Sequence, residues 1–238
     1  MKTKLPNPDR QRRINIFLYC FVTASFLIPV IFLTFRIALG SVPQNEMGYH
    51  SNADYALMIV QCLLGLVVIN FPPLLSRKLR FELPVVLYGL YIIFLYCAIF
   101  LGEVRSFYYL IPNWDSILHA FSSLMLGFFG FMVITILNRD NSVMVHLSPV
   151  FAAVFAFCFA LTIGSIWEIY EFTFDGILGL NMQKFITADG QVLLGHDALC
   201  DTMKDLIIDG AGAAIASVVG YFSILKDRTW MYLKLVES

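Results

Sequence analysis

Asp115 and His119 stand four residues apart, a spacing that brings both side chains to one face of an α-helix, and the same face continues through Ser123 and Gly127. A second stripe runs through Gly164, Glu168, Glu171 and Asp175 at helical spacing. A third begins at Asp201 and passes through Asp205 and Asp209 to Gly212, Ala216 and Gly220. Carboxylates with one imidazole form a ligand set for a divalent cation: the mixed set suits Zn²⁺, Mn²⁺ or Fe²⁺, and an all-oxygen subset suits Ca²⁺ or Mg²⁺. The candidate metal ligands are Asp115, His119, Glu168, Glu171, Asp201 and Asp205. A carboxylate left off the ion, Glu168 or Asp209, is the candidate general base.

The acids cannot all stay ionised in a small, partly desolvated volume, because neighbouring negative charges repel and exclusion from water disfavours the charged form. A cation would neutralise them, and so would protons in a transporter. Several also have a plainer reading. Asp115 and Asp201 could be helix N-caps, and Glu168 and Asp175 could be solvated helix ends. His119, Glu171, Asp205 and Asp209 lie a turn or more inside apolar segments, where the functional reading is preferred. His50, His146 and His196 fall in loops and are read as solvated.

The elements that must position these residues follow from composition. The chain has 238 residues, 59% hydrophobic and 14% charged, with a mean hydropathy of +0.76, which excludes an ordinary soluble domain. Its apolar residues gather into runs of about 20, the length a helix needs to cross a hydrocarbon core of about 30 Å. Six spans are expected, at 14–38, 54–75, 83–101, 115–137, 147–172 and 203–225, forming a single all-α polytopic membrane bundle. The apolar stretch from Ile14 to Leu39 is too long for the h-region of a cleaved signal peptide, so it counts as the first span. A formal net charge of −1 argues against a nucleic-acid partner. Cys20, Cys62, Cys97 and Cys158 lie in apolar runs and are expected to be buried, Cys200 lies in a loop, and no pair has the spacing of a metal motif.

Orientation comes from the basic residues. With the N-terminus inside, the inner segments hold Lys2, Lys4, Arg10, Arg12, Arg13, Arg77, Lys78, Arg80, Arg139, Lys226, Arg228 and Lys234, which is 12 of the 16 basic residues. Both termini are then cytoplasmic, and the loop at 174–200 is outside, with a short hairpin expected around Ala188, Asp189 and Gly190. Spans 4 and 6 start outside and span 5 ends there, so three separate segments deliver their acids to one layer. A charge within a span costs on the order of 2.5–3.5 kcal/mol at mid-membrane, so several on inward faces point to a function that offsets the cost.

The stretches Trp114-Asp115-Ser116-Ile117-Leu118-His119, Trp167-Glu168-Ile169-Tyr170-Glu171-Phe172 and Asp201-Thr202-Met203-Lys204-Asp205, ahead of a Gly/Ala-rich helix, resemble the YjdF-like family of bacterial inner-membrane proteins. The likeness covers about 115–220 and implies a location in the bacterial cytoplasmic membrane. A looser similarity to VanZ-like membrane proteins rests on the early histidine, middle glutamate and late aspartate, but the glutamine and arginine expected after the glutamate are missing. Neither resemblance supplies a reaction.

Three functions are compatible with these residues. One is a metal-dependent enzyme at the outer leaflet, acting on a lipid headgroup or lipid-linked envelope precursor. Another is a proton- or cation-coupled transporter, against which the acids cluster at one mouth and no paired broken helices are evident. The last is a non-catalytic scaffold or sensor stapled by its cation. The lipid bilayer is the one partner that composition requires. The topology is checked by labelling Cys200 in intact cells with an impermeant thiol reagent, the other four cysteines having been removed. Labelling is expected before lysis, and labelling only after lysis would invert the orientation.

Overall fold

The computed structural model describes residues 8–39, 52–78, 83–139, 147–187 and 190–226. Its elements are helices α1 (Pro8–Ala38), α2 (Asn52–Val68), α3 (Phe71–Lys78) and α4 (Val85–Leu95), a π-helical segment (Tyr96–Val104), then α5 (Phe107–Leu110), α6 (Trp114–Arg139), α7 (Pro149–Leu178) and α8 (His196–Lys226). Among the described residues, six stretches are long and apolar enough to cross a membrane: α1, α2 with α3, α4 with the π segment, α6, α7 and α8. Their order matches the six expected spans, but the ends differ. α1 starts before Ile14, and the expected loop at 174–200 shrinks to 179–195, because α7 runs on to Leu178 and α8 begins at His196. The polar residues at those ends hid the helix from a reading based on hydropathy. The helices fall into two compact units, one up to Ile111 and one from Pro112 onward.

In the first unit, Val22, Phe26, Cys62, Ile69, Ile92 and Leu95 form the buried core. Its second span is broken between Val68 and Phe71 because Pro72 has no N–H to give to the carbonyl four residues earlier, that of Val68. The Tyr91 hydroxyl donates to that carbonyl instead, at 2.8 Å. The Asn70 amide donates to the Leu66 carbonyl at 2.9 Å while its oxygen accepts from the Tyr19 hydroxyl at 3.0 Å. Side chains thus satisfy backbone and polar groups that apolar surroundings would leave costly. Cys62 is buried as expected, but Cys20 and Cys158 are exposed on their helices.

The second unit is a bundle in which α6, α7 and α8 each pack on the other two. Ser148 caps α7, accepting from the Phe151 amide at 3.2 Å, with Pro149 following it, and Gly179 ends the helix at φ +65°. The buried face of α7 places Ala152, Ala156, Ala160 and Gly164 at every fourth residue and continues into Glu168, Glu171 and Asp175. The buried face of α8 runs from Asp205 and Asp209 into Gly212, Ala213, Ala216, Ser217 and Gly220. These small residues let the backbones approach closely. A methyl on Gly127 would strike Ala216, one on Gly212 would strike Ser123, and one on Gly220 would enter the Phe131 ring. Between α7 and α8 the strap at 179–195 turns back on itself. An Ile186–Val192 bridge flanks the expected hairpin tip, of which 188–189 lie outside the described residues.

Helix proximity sets the expected response to added methyl groups. A Cβ on Gly130 would lie 2.7 Å from the Ala156 Cα, a backbone atom that cannot swing aside, whereas one on Gly210 meets nothing within 4 Å. Gly130→Ala should lower stability by about 1–3 kcal/mol, and Gly210→Ala should leave it unchanged or raise it by up to about 1 kcal/mol. Thermal unfolding in one detergent checks the pair, and equal midpoints would show that α6 and α7 are not in contact there.

Candidate functional site

The three acidic stripes meet at the end of the bundle where α6 and α8 begin and α7 finishes. His119 of α6 is 6% exposed and has a different environment at each ring nitrogen. Its Nδ1 lies 3.1 Å from Asp209 Oδ2 on α8. Its Nε2 faces Glu168 Oε1 on α7 at 3.5 Å and Asp115 Oδ1 at 3.9 Å. One ligand atom each from Asp115, His119 and Asp205 lies within 4.8 Å of the others. Asp205 accepts from the Ser116 hydroxyl at 3.3 Å.

Local sequence explains why Asp209 can reach the ring. It comes from α8 opposite Gly164, where any side chain on α7 would collide with its carboxylate. A carboxylate accepts only, so in the pairing with Asp209 the Nδ1 carries the hydrogen, and the lone pair of a neutral ring is then at Nε2. Glu168 is 4% exposed, and its Oε1 is buried without a hydrogen-bond partner among the described residues. Four carboxylates therefore surround one imidazole, and even a protonated ring offsets only one of them.

The other expected residues take up different positions. Glu171 is buried, but its Oε1 accepts from the Trp167 indole at 3.0 Å and it lies outside the Asp115–His119–Asp205 set. Asp201 is half-buried, a full turn inside α8, and also outside that set, so it is not an N-cap. Asp115 lies inside α6 with its carboxylate toward His119, so the capping reading fails for it too. Glu168 and Asp175 are not solvated ends, since both are buried. Asp175 accepts from the Met182 and Gln183 amides at 2.7 and 2.9 Å and so ties the strap to α7. His196 is helical rather than in a loop, though exposed, and His50 and His146 lie outside the described residues.

Three contributors escaped the sequence reading. Ser116 supplies the hydroxyl on Asp205, and the Gln183 side-chain amide crosses from the strap to the Thr202 hydroxyl on α8 at 2.7 Å. Serine, glutamine and threonine carry no signal of their own. Their part comes from a crossing that sequence spacing does not encode.

Fold and site together define a multi-pass helical membrane protein with a buried carboxylate–histidine cluster at one end. The chain belongs to the family described as "Predicted membrane protein (DUF2238)", which matches residues 24–226 and so takes in every residue of the cluster. The stretches that resemble the YjdF-like family also lie inside that match. The chain is similar to an uncharacterized protein of Thermotoga maritima, 32% identical over 122 residues, which are 51% of this chain and 54% of the relative. It thus spans about half the length of the curated relative it matches. No solved structure matches the chain.

The hold of Asp175 on the strap can be read separately from any ligand. Asp175→Ala leaves two backbone donors without their acceptor, a loss of about 1–3 kcal/mol for a buried pair. Hydrogen exchange at Met182 and Gln183 should accelerate accordingly, while a change at exposed Asp197 should have no such effect. Unaltered exchange in Asp175→Ala would mean that other contacts hold the strap.

Proposed function

We propose that the protein is a divalent-cation-dependent enzyme of the bacterial cytoplasmic membrane, with both termini inside. Its site faces the outside and acts on the headgroup of a lipid or a lipid-linked envelope precursor. The observation that carries the cation is the division between the two nitrogens of His119. Asp209 takes Nδ1, as a carboxylate orienting a metal-bound histidine does, and Nε2 faces carboxylates of which one oxygen, Glu168 Oε1, has no hydrogen-bond partner among the described residues. The spacing fits. Two ligands each about 2.1 Å from a tetrahedral ion stand roughly 3.4 Å apart; Nε2 and Asp115 are 3.9 Å apart, and with Asp205 the three ligand atoms lie within 4.8 Å of one another.

His119, Asp115 and Asp205 would hold the ion, and the nitrogen in the set favours Zn²⁺, Mn²⁺ or Fe²⁺. Such an ion supplies Lewis acidity toward a phosphoryl or ester oxygen and toward bound water. Of the two candidate bases, Asp209 is committed to the imidazole, and Glu168, with its open oxygen, is the better proton acceptor. Glu171 and Asp201 stand beside the ligands as further acidic groups. A lipid substrate is supported by the surroundings: Ile166, Ile169, Phe172 and Ile207 near the site are all exposed, as residues facing a bilayer would be. The outward placement rests on the distribution of basic residues.

Elemental analysis of detergent-purified protein should find a divalent ion that is lost from His119→Ala and Asp205→Ala, and Asp209→Asn should weaken metal affinity by about 10–100-fold. Chelation should lower the thermal midpoint, with re-addition restoring about 2.7 kcal/mol of stability at a hundredfold excess over the dissociation constant. An unchanged midpoint in metal-free protein across a panel of divalent ions would leave shared protons as the means of neutralisation. In proteoliposomes, Glu168→Gln should keep the metal and lower headgroup release by about 10²–10⁴-fold. No release by loaded wild-type protein from any phospholipid tested would reduce the cation to a structural staple.

A further inference from the structure

We propose that a diacyl phospholipid reaches the cation site sideways, through a groove bounded by the last turns of α7, the first turns of α8 and the strap at 179–195. This rests on the cation reading for the headgroup, but the groove stands on its own observations. It has a volume of about 420 Å³ and is lined by residues including Phe172, Asp175, Gln183, Phe185, Leu199 and Thr202. That is enough for one chain segment and the glycerol region, not a whole lipid. Gly176 and Gly195 also line it, and a methyl on either would meet nothing within 4 Å, so the space beside them is open.

The walls identify the occupant. Phe172 and Leu199 are 68% and 52% exposed, and they continue the outward surface made by Ile169 and Ile177 on α7 and by Met203 and Ile207 on α8. The groove therefore opens onto the apolar surface that faces the bilayer. A free, water-soluble headgroup gains nothing from such walls, whereas an acyl chain can lie against them without leaving apolar surroundings. The inner side is polar. Thr202 and Gln183 are bonded to each other there, and Asp175 is already occupied by two backbone amides.

The groove ends one helical turn from the proposed chemistry, and no residue of the cluster is part of its lining. Phe172 stands four residues beyond Glu168 and Thr202 three residues before Asp205, so both lie one helical turn from the cation cluster on the same helices. A lipid whose chain lies against Phe172 and Leu199 brings its ester and phosphate oxygens to Thr202 and onward to the cation. Lys204, whose ammonium bonds the Asn113 side chain at 2.9 Å, adds positive charge at the same level for an anionic headgroup.

The test is native mass spectrometry of the full chain in detergent, loaded with Zn²⁺ and titrated with dioleoylphosphatidylglycerol, with glycerol phosphate as the chain-free competitor. Wild-type protein should hold one lipid tightly. Ala198→Trp and Gly176→Leu, which fill the groove from opposite helices, should each weaken binding about tenfold or more while the metal content and thermal midpoint stay at the wild-type values. Glycerol phosphate should displace the lipid only at far higher concentration. Asp205→Asn separates the two readings: loss of metal with a lipid still held shows groove and cation site as distinct parts. Retention of metal in Asp205→Asn would sink the cation assignment and leave the groove standing. Wild-type lipid affinity in both filled variants, or displacement by equimolar glycerol phosphate, would overturn the groove.

Discussion

An imidazole ring held between a carboxylate at one nitrogen and two at the other, with a fourth carboxylate close by, is the contact on which the second half of the molecule depends. In water such a group of acids would repel and separate. Here Asp205 and Asp209 are almost fully buried, and His119 and Glu168 are nearly so, which removes the solvent that would otherwise screen them. The arrangement persists only with compensating positive charge or bound protons, and the proposed cation fills that need. Other interactions in the bundle can be understood as holding three helices near enough for their acids to meet.

That closeness is a property of the glycines and alanines rather than of the acids. Gly127, Gly130, Gly164, Gly212 and Gly220 each stand where even a methyl group would collide with the neighbouring helix. In a bilayer, apolar side chains gain little by exchanging lipid for one another, so close backbone packing and polar contacts carry the association. The small-residue stripes and the acidic stripes are continuous on α7 and α8. Packing along the apolar part therefore dictates where the acids arrive, and Gly164 serves both purposes by clearing the space that Asp209 occupies on its way to His119.

The first unit solves a different problem with the same physics. Pro72 interrupts the second span, and the freed Val68 carbonyl finds the Tyr91 hydroxyl. Asn70 and Tyr19 complete a small network around the break. Polar residues here repair the backbone, whereas in the α6–α8 bundle Asp115, Glu168 and Asp209 face the imidazole of His119. Polar side chains among apolar surroundings thus serve structure in one unit and the proposed chemistry in the other, so such a placement alone does not mark a site.

Six apolar segments, their order and the three polar stripes follow from the sequence by itself, because hydrophobic length and helical period are local properties that no tertiary contact is needed to express. The small-residue face of α8, with Gly212, Ala216 and Gly220, was readable for the same reason, whereas that of α7 at Ala152, Ala156 and Ala160 came from the structure. Helix ends were not: polar residues from His196 to Asp201 read as loop by hydropathy, yet they wind into α8. Only the tertiary structure decided how the acids are shared out. Helical phase placed Glu171 and Asp205 on inward faces alike, but the Trp167 indole engages Glu171, while Asp205 meets Asp115 and His119. It also put Asp209, rather than Glu168 or Asp201, on the Nδ1 side of the ring. Side-chain direction and the rotation of one helix against another depend on contacts between residues some ninety positions apart, and spacing within a single helix carries no record of them.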